Sequence, residues 1–364
     1  MPIFDQGYQH WQGKLSGHAW RWLSITRQGV RTQLRSRWVR GLILISWVPA
    51  LLLAFFMVCW GLAEQKAYAG VRDLLVNMFE LPRDIVTSPK SYRSPVWTIA
   101  YEIYFQVQVW FCLGVVMIIG PGLISQDLRF NAMPLYFSRP LRRLVYFVGK
   151  LGVIGYTLAM VAVVPALFAY LLGVCFSLDL SIVPDTIHVL AASLGYGDLI
   201  VVSTGTLMLA FSSLSRNSRY VGIIWAGFCL VSVVFGAVLK DAVREDWCGI
   251  VSYKDNLERL GNRLLQSKEA HERVTPTVAG VSPAPAARGP AVMPAPGAKG
   301  VQMKGKRGRP PPPPPPVVTG PGRGPGRPTE IDPPWYWSAG VLAGLFGLSL
   351  CILTTRVKSL DRLR

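Results

Sequence analysis

Charge and histidine are scarce in this chain. Only 16% of its 364 residues are Asp, Glu, Lys or Arg, against 51% hydrophobic. That balance excludes a set of ordinary soluble domains, although the length would hold two or three. Its four histidines, at 10, 18, 188 and 271, all fall outside the apolar runs, so no credible Ser/His/Asp set can be assembled. His271-Glu272 is followed by no second histidine, which removes the H-E-x-x-H zinc pattern. The phosphate-cradling pattern G-x-x-x-x-G-K-[ST] is missing, so no nucleotide hydrolysis is expected of this chain by itself. Six cysteines (59, 112, 175, 229, 248 and 351) are scattered without a C-x-x-C pair and read as small packing residues. No catalytic residue and no metal ligand is therefore assigned. A cleavable signal peptide is not expected either, because the first apolar run begins near Gly41.

What the chain has instead is apolar runs of membrane length. A helix of about 20 apolar residues crosses the hydrocarbon core. Six runs qualify, at about 41–63, 103–124, 151–174, 189–213, 219–239 and 335–353. The expected fold is an all-α polytopic membrane protein with six transmembrane helices. Pro49 predicts a kink in the first span, and Pro165 falls near the middle of the third. Trp47, Trp60 and the Trp335-Tyr336-Trp337 run suit the membrane interfaces. Gly152, Gly155, Gly195 and Gly205 suit close helix packing.

The net charge of +18 is informative through its placement. Segments 1–40, 125–150, 214–220 and 355–364 hold 18 of the 38 basic residues, with only Asp5, Asp127 and Asp361 as acids. Dense basic flanks beside apolar spans mark the cytoplasmic face and its lipid headgroups. Both termini are therefore expected inside, which six spans allow. Residues 64–98, of mixed charge with three prolines, are expected as a polar loop on the opposite side.

Five regions follow. Residues 1–40 form a cytoplasmic tail and an interfacial amphipathic helix, with Trp20, Leu23, Val30, Leu34 and Trp38 on one stripe. Residues 41–239 carry the first five spans. Residues 240–275 read as an extracytoplasmic amphipathic element, outer-surface or re-entrant, with Ile250, Leu257, Leu260, Leu264 and Leu265 at helical spacing. Residues 276–334 hold 18 of the 28 prolines and cannot bury a core, so a disordered or polyproline II insertion is expected there. Residues 335–364 form the sixth span and a basic cytoplasmic tail. Within the insertion, Lys306 to Pro310 resembles an AT-hook. Five residues in a Pro/Gly/Arg-biased stretch on the outer side support no nucleic-acid partner.

The stretch Gly120 to Lys150 is a polar turn-around between two spans, with Arg129, Arg139, Arg142, Arg143 and Lys150 against one acid, Asp127. Pro121-Gly122, Pro134 and Pro140 break it into one or two short helices joined by turns. Its run of Asp127, Asn131-Ala132, Leu135, Ser138-Arg139-Pro140, Arg143 and Lys150 resembles the cytoplasmic loop of ABC-2 type transporter permeases. Ala210 to Gly227 is similar to the short loop between spans four and five of that family, and the C-terminal LTTRVKSLDRL is similar to its tail. The resemblance covers roughly residues 20–270 and 335–364 and is nearly silent on substrate. It implies a permease subunit of a bacterial inner-membrane transporter, more often an exporter, working as a dimer with itself or a related permease. ATP would be bound by a separate cytoplasmic ATPase subunit that pushes on the 125–150 loop. On that reading Asp127 and Arg129 begin the coupling element, and Ser138, Arg139, Arg142 and Arg143 meet the ATPase or anionic lipid.

Ionisable groups inside spans are candidates for a pathway, because a charge in lipid is costly. Asp198, about nine residues into the fourth span, ranks first, followed by Glu102 and Gln106 at the outer half of the second. Asp198 could instead hydrogen-bond neighbouring backbones, and Glu102 could sit among headgroups. Two other classes compete with the permease. One is a proton- or ion-coupled secondary transporter using Asp198, and the other is a membrane scaffold whose Pro-rich loop recruits a partner.

Overall fold

A computed structural model describes residues 20–65, 69–132, 143–177, 179, 181–243, 246–278 and 334–361. Every regular element among the described residues is helical. Six stretches are long and apolar enough to cross a membrane: Arg37–Glu64, Arg93–Arg129, Leu144–Ser177, Ile182–Leu214, Ser218–Val243 and Trp335–Arg356. The chain is a multi-pass membrane protein. Of the expected insertion 276–334, residues 276–278 close a helix that ends at Val278 and residues 279–333 lie outside the described residues, as does the tail before residue 20.

Helix α1 (Arg21–Leu34) precedes the first long helix, α2 (Arg37–Glu64). It packs against the start of α7 (Arg143–Leu158), not through the whole stripe read from the sequence. Trp20, Leu23 and Trp38 are exposed, while Thr26 and Val30 are buried. Small residues permit the approach. A Cβ on Gly152 would lie 2.5 Å from the Thr26 hydroxyl, and one on Gly29 would lie 2.4 Å from Val153. The Thr26 hydroxyl donates to the Gly149 carbonyl at 2.9 Å.

The expected polar loop 64–98 is largely helical, as α3 (Ala69–Met78), α4 (Arg83–Thr87) and the first turns of α5 (Arg93–Ile119). Helix α5 starts ten residues before the apolar run it contains. Its early turns carry Arg93 and Glu102, which lower hydropathy, yet both are buried in the bundle.

The third span is interrupted. Helix α7 passes through a π-turn, Ala159–Val163, into α8 (Val164–Ser177). Pro165 supplies no N–H to the carbonyl four residues back, Val161. The Val164 N–H reaches back five residues to Ala159, so the usual donor to Met160 is diverted too. In a membrane interior such carbonyls need other donors. Trp47 donates to Met160 O at 3.1 Å, Gln108 donates to Val161 O, and Tyr104 donates to Ala162 O at 2.7 Å. Tyr101 adds a bond to Ala166 O at 2.9 Å. The polar character of the second span is therefore matched to the broken backbone of the third.

Helix α9 (Ile182–Leu214) is central, packed against α5, α6 (Gly122–Arg129), α7, α10 (Ser218–Val243) and α13 (Trp335–Asp361). A short 3-10 turn (Asp246–Val251) leads to α11 (Tyr253–Leu265) and α12 (Ser267–Val278). These two helices are not a surface appendage. Helix α11 wedges among α5, α9, α10 and α13, with Tyr253, Leu257 and Leu265 buried, and α12 lies along α5. Burial pushes the Tyr253 hydroxyl up to about 12, and Ser203 and Thr204 meet it at 2.9 and 3.1 Å.

Candidate functional site

Helix α6 follows α5 through an elbow at Gly120-Pro121. A Cβ at Gly120 would fall 2.8 Å from the Val116 carbonyl and 2.1 Å from Met208 Cγ, so the elbow sits tightly on α9. Ser212 of α9 pins the first turn. Its Oγ accepts the N–H groups of Ile124 and Ser125, each at 3.1 Å, and donates to Pro121 O at 2.9 Å. Free N–H groups at a helix start are thereby satisfied by a neighbouring span.

The far end of α6 is closed as firmly. Asn131 adopts a left-handed conformation (φ 49). The Ala132 N–H bonds Asp127 O at 2.9 Å and the Asn131 N–H bonds Leu128 O at 3.4 Å, the pair of bonds of a Schellman cap. Asn131-Ala132, read from the sequence as part of a loop pattern, is thus a helix stop. The Asp127 carboxylate pairs with Lys150 at 2.7 Å and accepts from the Tyr146 hydroxyl at 2.6 Å. Both partners stand on α7, so Asp127 is a brace across the turn-around and not a free contact. Arg129 is exposed, with its guanidinium 5.6 Å from the Phe130 ring. Ser138, Arg139 and Arg142 lie outside the described residues. Arg143 opens α7.

Arginines crowd this end. Arg27, Arg31, Arg129, Arg216 and Arg219 are all exposed. An open groove of about 310 Å³ runs beside the elbow, lined by Gln33, Gln126, Ser218 and Arg219 among others.

The expected pathway residues separate. Asp198 lies on an outward stripe of α9 with Ile187, Leu194 and Val202 exposed above and below it. It makes no hydrogen bond or ion pair among the described residues, so backbone bonding by this side chain is not what the fold uses. Gln106 also points away from the bundle. Gln108, two residues on and so on the opposite helix face, is the buried one, spanning Ser46 O at 3.2 Å and Val161 O. Glu102 is buried and lines a cavity shared with α11, α12 and the start of α13. These three residues do not converge on one site.

At the bundle end opposite α6 is a cluster that hydropathy reading missed. Arg93 forks onto Glu64, Nε to Oε1 at 2.9 Å and Nη2 to Oε2 at 2.7 Å. Its Nη1 reaches Asp185 at 3.0 Å and Ser181 at 3.1 Å. Trp60 and Ser177 complete Glu64 at 2.9 and 3.1 Å. The ends of α2, α5, α8 and α9 are thus tied by one guanidinium. The usable signal was an Arg and a Glu at the edges of apolar runs, where a desolvated pair is affordable only if fully bonded.

Comparison of the chain with protein-family models and with curated proteins finds no match. Among the described residues no three His, Cys, Asp or Glu side chains group as a metal site.

Proposed function

We propose that this chain is the membrane-spanning permease subunit of an ABC-2 type, ATP-driven transporter of the bacterial inner membrane. In this reading the α6 end faces the cytoplasm, both termini lie inside, and two permeases form the pathway at their interface. A separate ATPase subunit binds ATP and docks against α6 and the segment up to Arg143. The transported substrate is exported.

The observation that carries the reading is the bracing of α6. It is short, it lies at the end of the bundle, and it is bonded to α9 through Ser212 and to α7 through Asp127. A force on such a helix reaches three spans without being absorbed by a flexible loop. The exposed arginines beside it favour the cytoplasmic side. The groove along the elbow offers a partner a polar, cationic seat.

Affinity purification of the tagged chain in mild detergent tests this directly. Recovery of a soluble Walker-motif ATPase, lost when Arg139, Arg142 and Arg143 are reversed to Glu, is the expected result. Recovery of the chain alone, with proton-dependent flux abolished by Asp198→Asn, would replace the permease with a secondary transporter.

A further inference from the structure

At the opposite end from α6, the helices α5, α11, α12 and α13 enclose a cavity of about 410 Å³. That volume lies in the range of small-molecule sites. Charges of both signs face it: Glu102 and Glu269, against Arg259, Arg263 and Lys268, with His271 beside them and Trp335 at the edge.

Glu102 is the telling residue. It is only 8% exposed, and its Oε2 has no hydrogen-bond partner among the described residues. His271 Nδ1 lies 3.5 Å away, but that nitrogen already faces the Ser267 carbonyl at 2.9 Å. The Ser267 hydroxyl, 3% exposed, is also without a partner. A carboxylate oxygen this deep costs free energy until a donor meets it, and a cation meets it best.

We infer that this cavity binds a small zwitterion, its ammonium on Glu102 and its phosphate or carboxylate on Arg263. A simple anion would leave the Glu102 oxygen unmet and repelled. A simple cation would be repelled by the exposed Arg263. A molecule carrying both charges satisfies both walls, and Trp335 offers an aromatic surface to the ammonium end. The hairpin supplies most of the site. Helices α11 and α12 meet at Gln266, whose left-handed backbone (φ 58) turns the chain so that Arg263 and Lys268 flank one opening. The ligand is either a soluble compound or the headgroup of a lipid. The inference does not rest on an ATPase partner.

The experiment uses the full chain, first in lipid-depleted detergent, with phosphoethanolamine as probe and ethanolamine and inorganic phosphate as its halves. The second arm compares nanodiscs of phosphatidylethanolamine with nanodiscs of phosphatidylglycerol. Expected in detergent is saturable binding of phosphoethanolamine, weakened at least about tenfold by Glu102→Gln and by Arg263→Ala. Neither half alone should match it. If the natural ligand is a headgroup, phosphatidylethanolamine discs will also raise the melting temperature of the unaltered chain, and Glu102→Gln will lose that increment. Arg263 is exposed, so its replacement tests the anion wall without disturbing the core. Phosphate binding that equals phosphoethanolamine binding and ignores Glu102→Gln would overturn the zwitterion. So would the absence of binding in both arms.

Discussion

The two ends of this bundle handle charge in opposite ways. At one, Arg93 and Glu64 are buried, each side chain 2% exposed, and every strong donor has an acceptor. At the other, arginines are exposed and the acid of the turn-around, Asp127, is 16% exposed and spent on bracing α6. The first arrangement holds four helix ends in fixed relation. The second holds one short helix firmly and leaves cations for a partner. The proposed permease would use both, a fixed reference at one face and a stiff lever at the other.

The largest effect should come from breaking the buried end. Arg93→Ala leaves Glu64 desolvated and unpaired, which costs about 3–5 kcal/mol. The melting temperature in detergent should fall steeply, and the double variant Arg93→Met with Glu64→Met should recover much of the loss. A single variant that melts like the unaltered chain would show that this end is not the fixed one.

Next in size is the belt between the two ends. Gln108→Leu deprives Ser46 O and Val161 O of a donor, at about 1–3 kcal/mol for a buried group left unmet. Pro165→Ala restores an N–H in α8 four residues beyond Val161. Combined with Gln108→Leu it should cost less than the sum of the two changes. Additive melting shifts would mean that Gln108 does not serve the broken turn.

How far these features were legible depends on their range. The six spans were legible because each is a continuous apolar run whose signal needs no neighbour. Residues 240–275 read as an amphipathic outer-surface or re-entrant element from helical spacing alone. The burial of α11 among the spans was not legible, since Tyr196 has to receive Gly261 from 65 positions away: a Cβ on Gly261 would sit 2.2 Å from that ring. Pro165 was visible near the middle of the third span, but the compensation for its missing N–H lies on another helix, and choosing Gln108 over Gln106 requires the packing face. Asp127 and Lys150 were both noticed as loop residues, yet their pairing appears only when α6 folds back on α7. Arg93 was hidden because a charge lowers hydropathy whether it is solvated or bonded in a core.

At the α6 end the expected effect is smaller and local. Asp127→Asn removes the charge from a partly exposed pair, worth up to about 1 kcal/mol. Global melting should hardly move. Hydrogen exchange over Gly122–Arg129 should rise clearly, because the brace to Lys150 and Tyr146 is lost while the Ser212 pin stays. Unchanged exchange would mean that α6 is held by Ser212 and its Schellman cap alone. The lever would then be tied to two spans and not three.

The smallest effect is a pH dependence that differs in sign between two acids. Lys90 at 2.9 Å, helped by the Ser181 N–H, holds the exposed Asp179 carboxyl at about 2, below its ordinary 3.8. A lowered carboxylate contributes stability that is complete above its unfolded value and is lost as pH falls through the folded one. Asp179 therefore supports the fold at neutral pH, and that support fades between about 3.8 and 2. Glu258 on α11 behaves oppositely. Burial pushes its carboxyl above 4.5, with Lys254 only partly offsetting that, so ionisation costs the folded state as pH rises past 4.5. Glu258→Gln should then raise the melting temperature at neutral pH by a degree or so, on the order of a few tenths of a kcal/mol, and the gain should vanish below 4.5. Asp179→Asn should lower melting slightly at neutral pH and flatten the acid limb, the two chains converging as pH falls to about 2. A gain for Glu258→Gln that persists in acid would place its origin in the contact with Lys254, not in the carboxylate's charge.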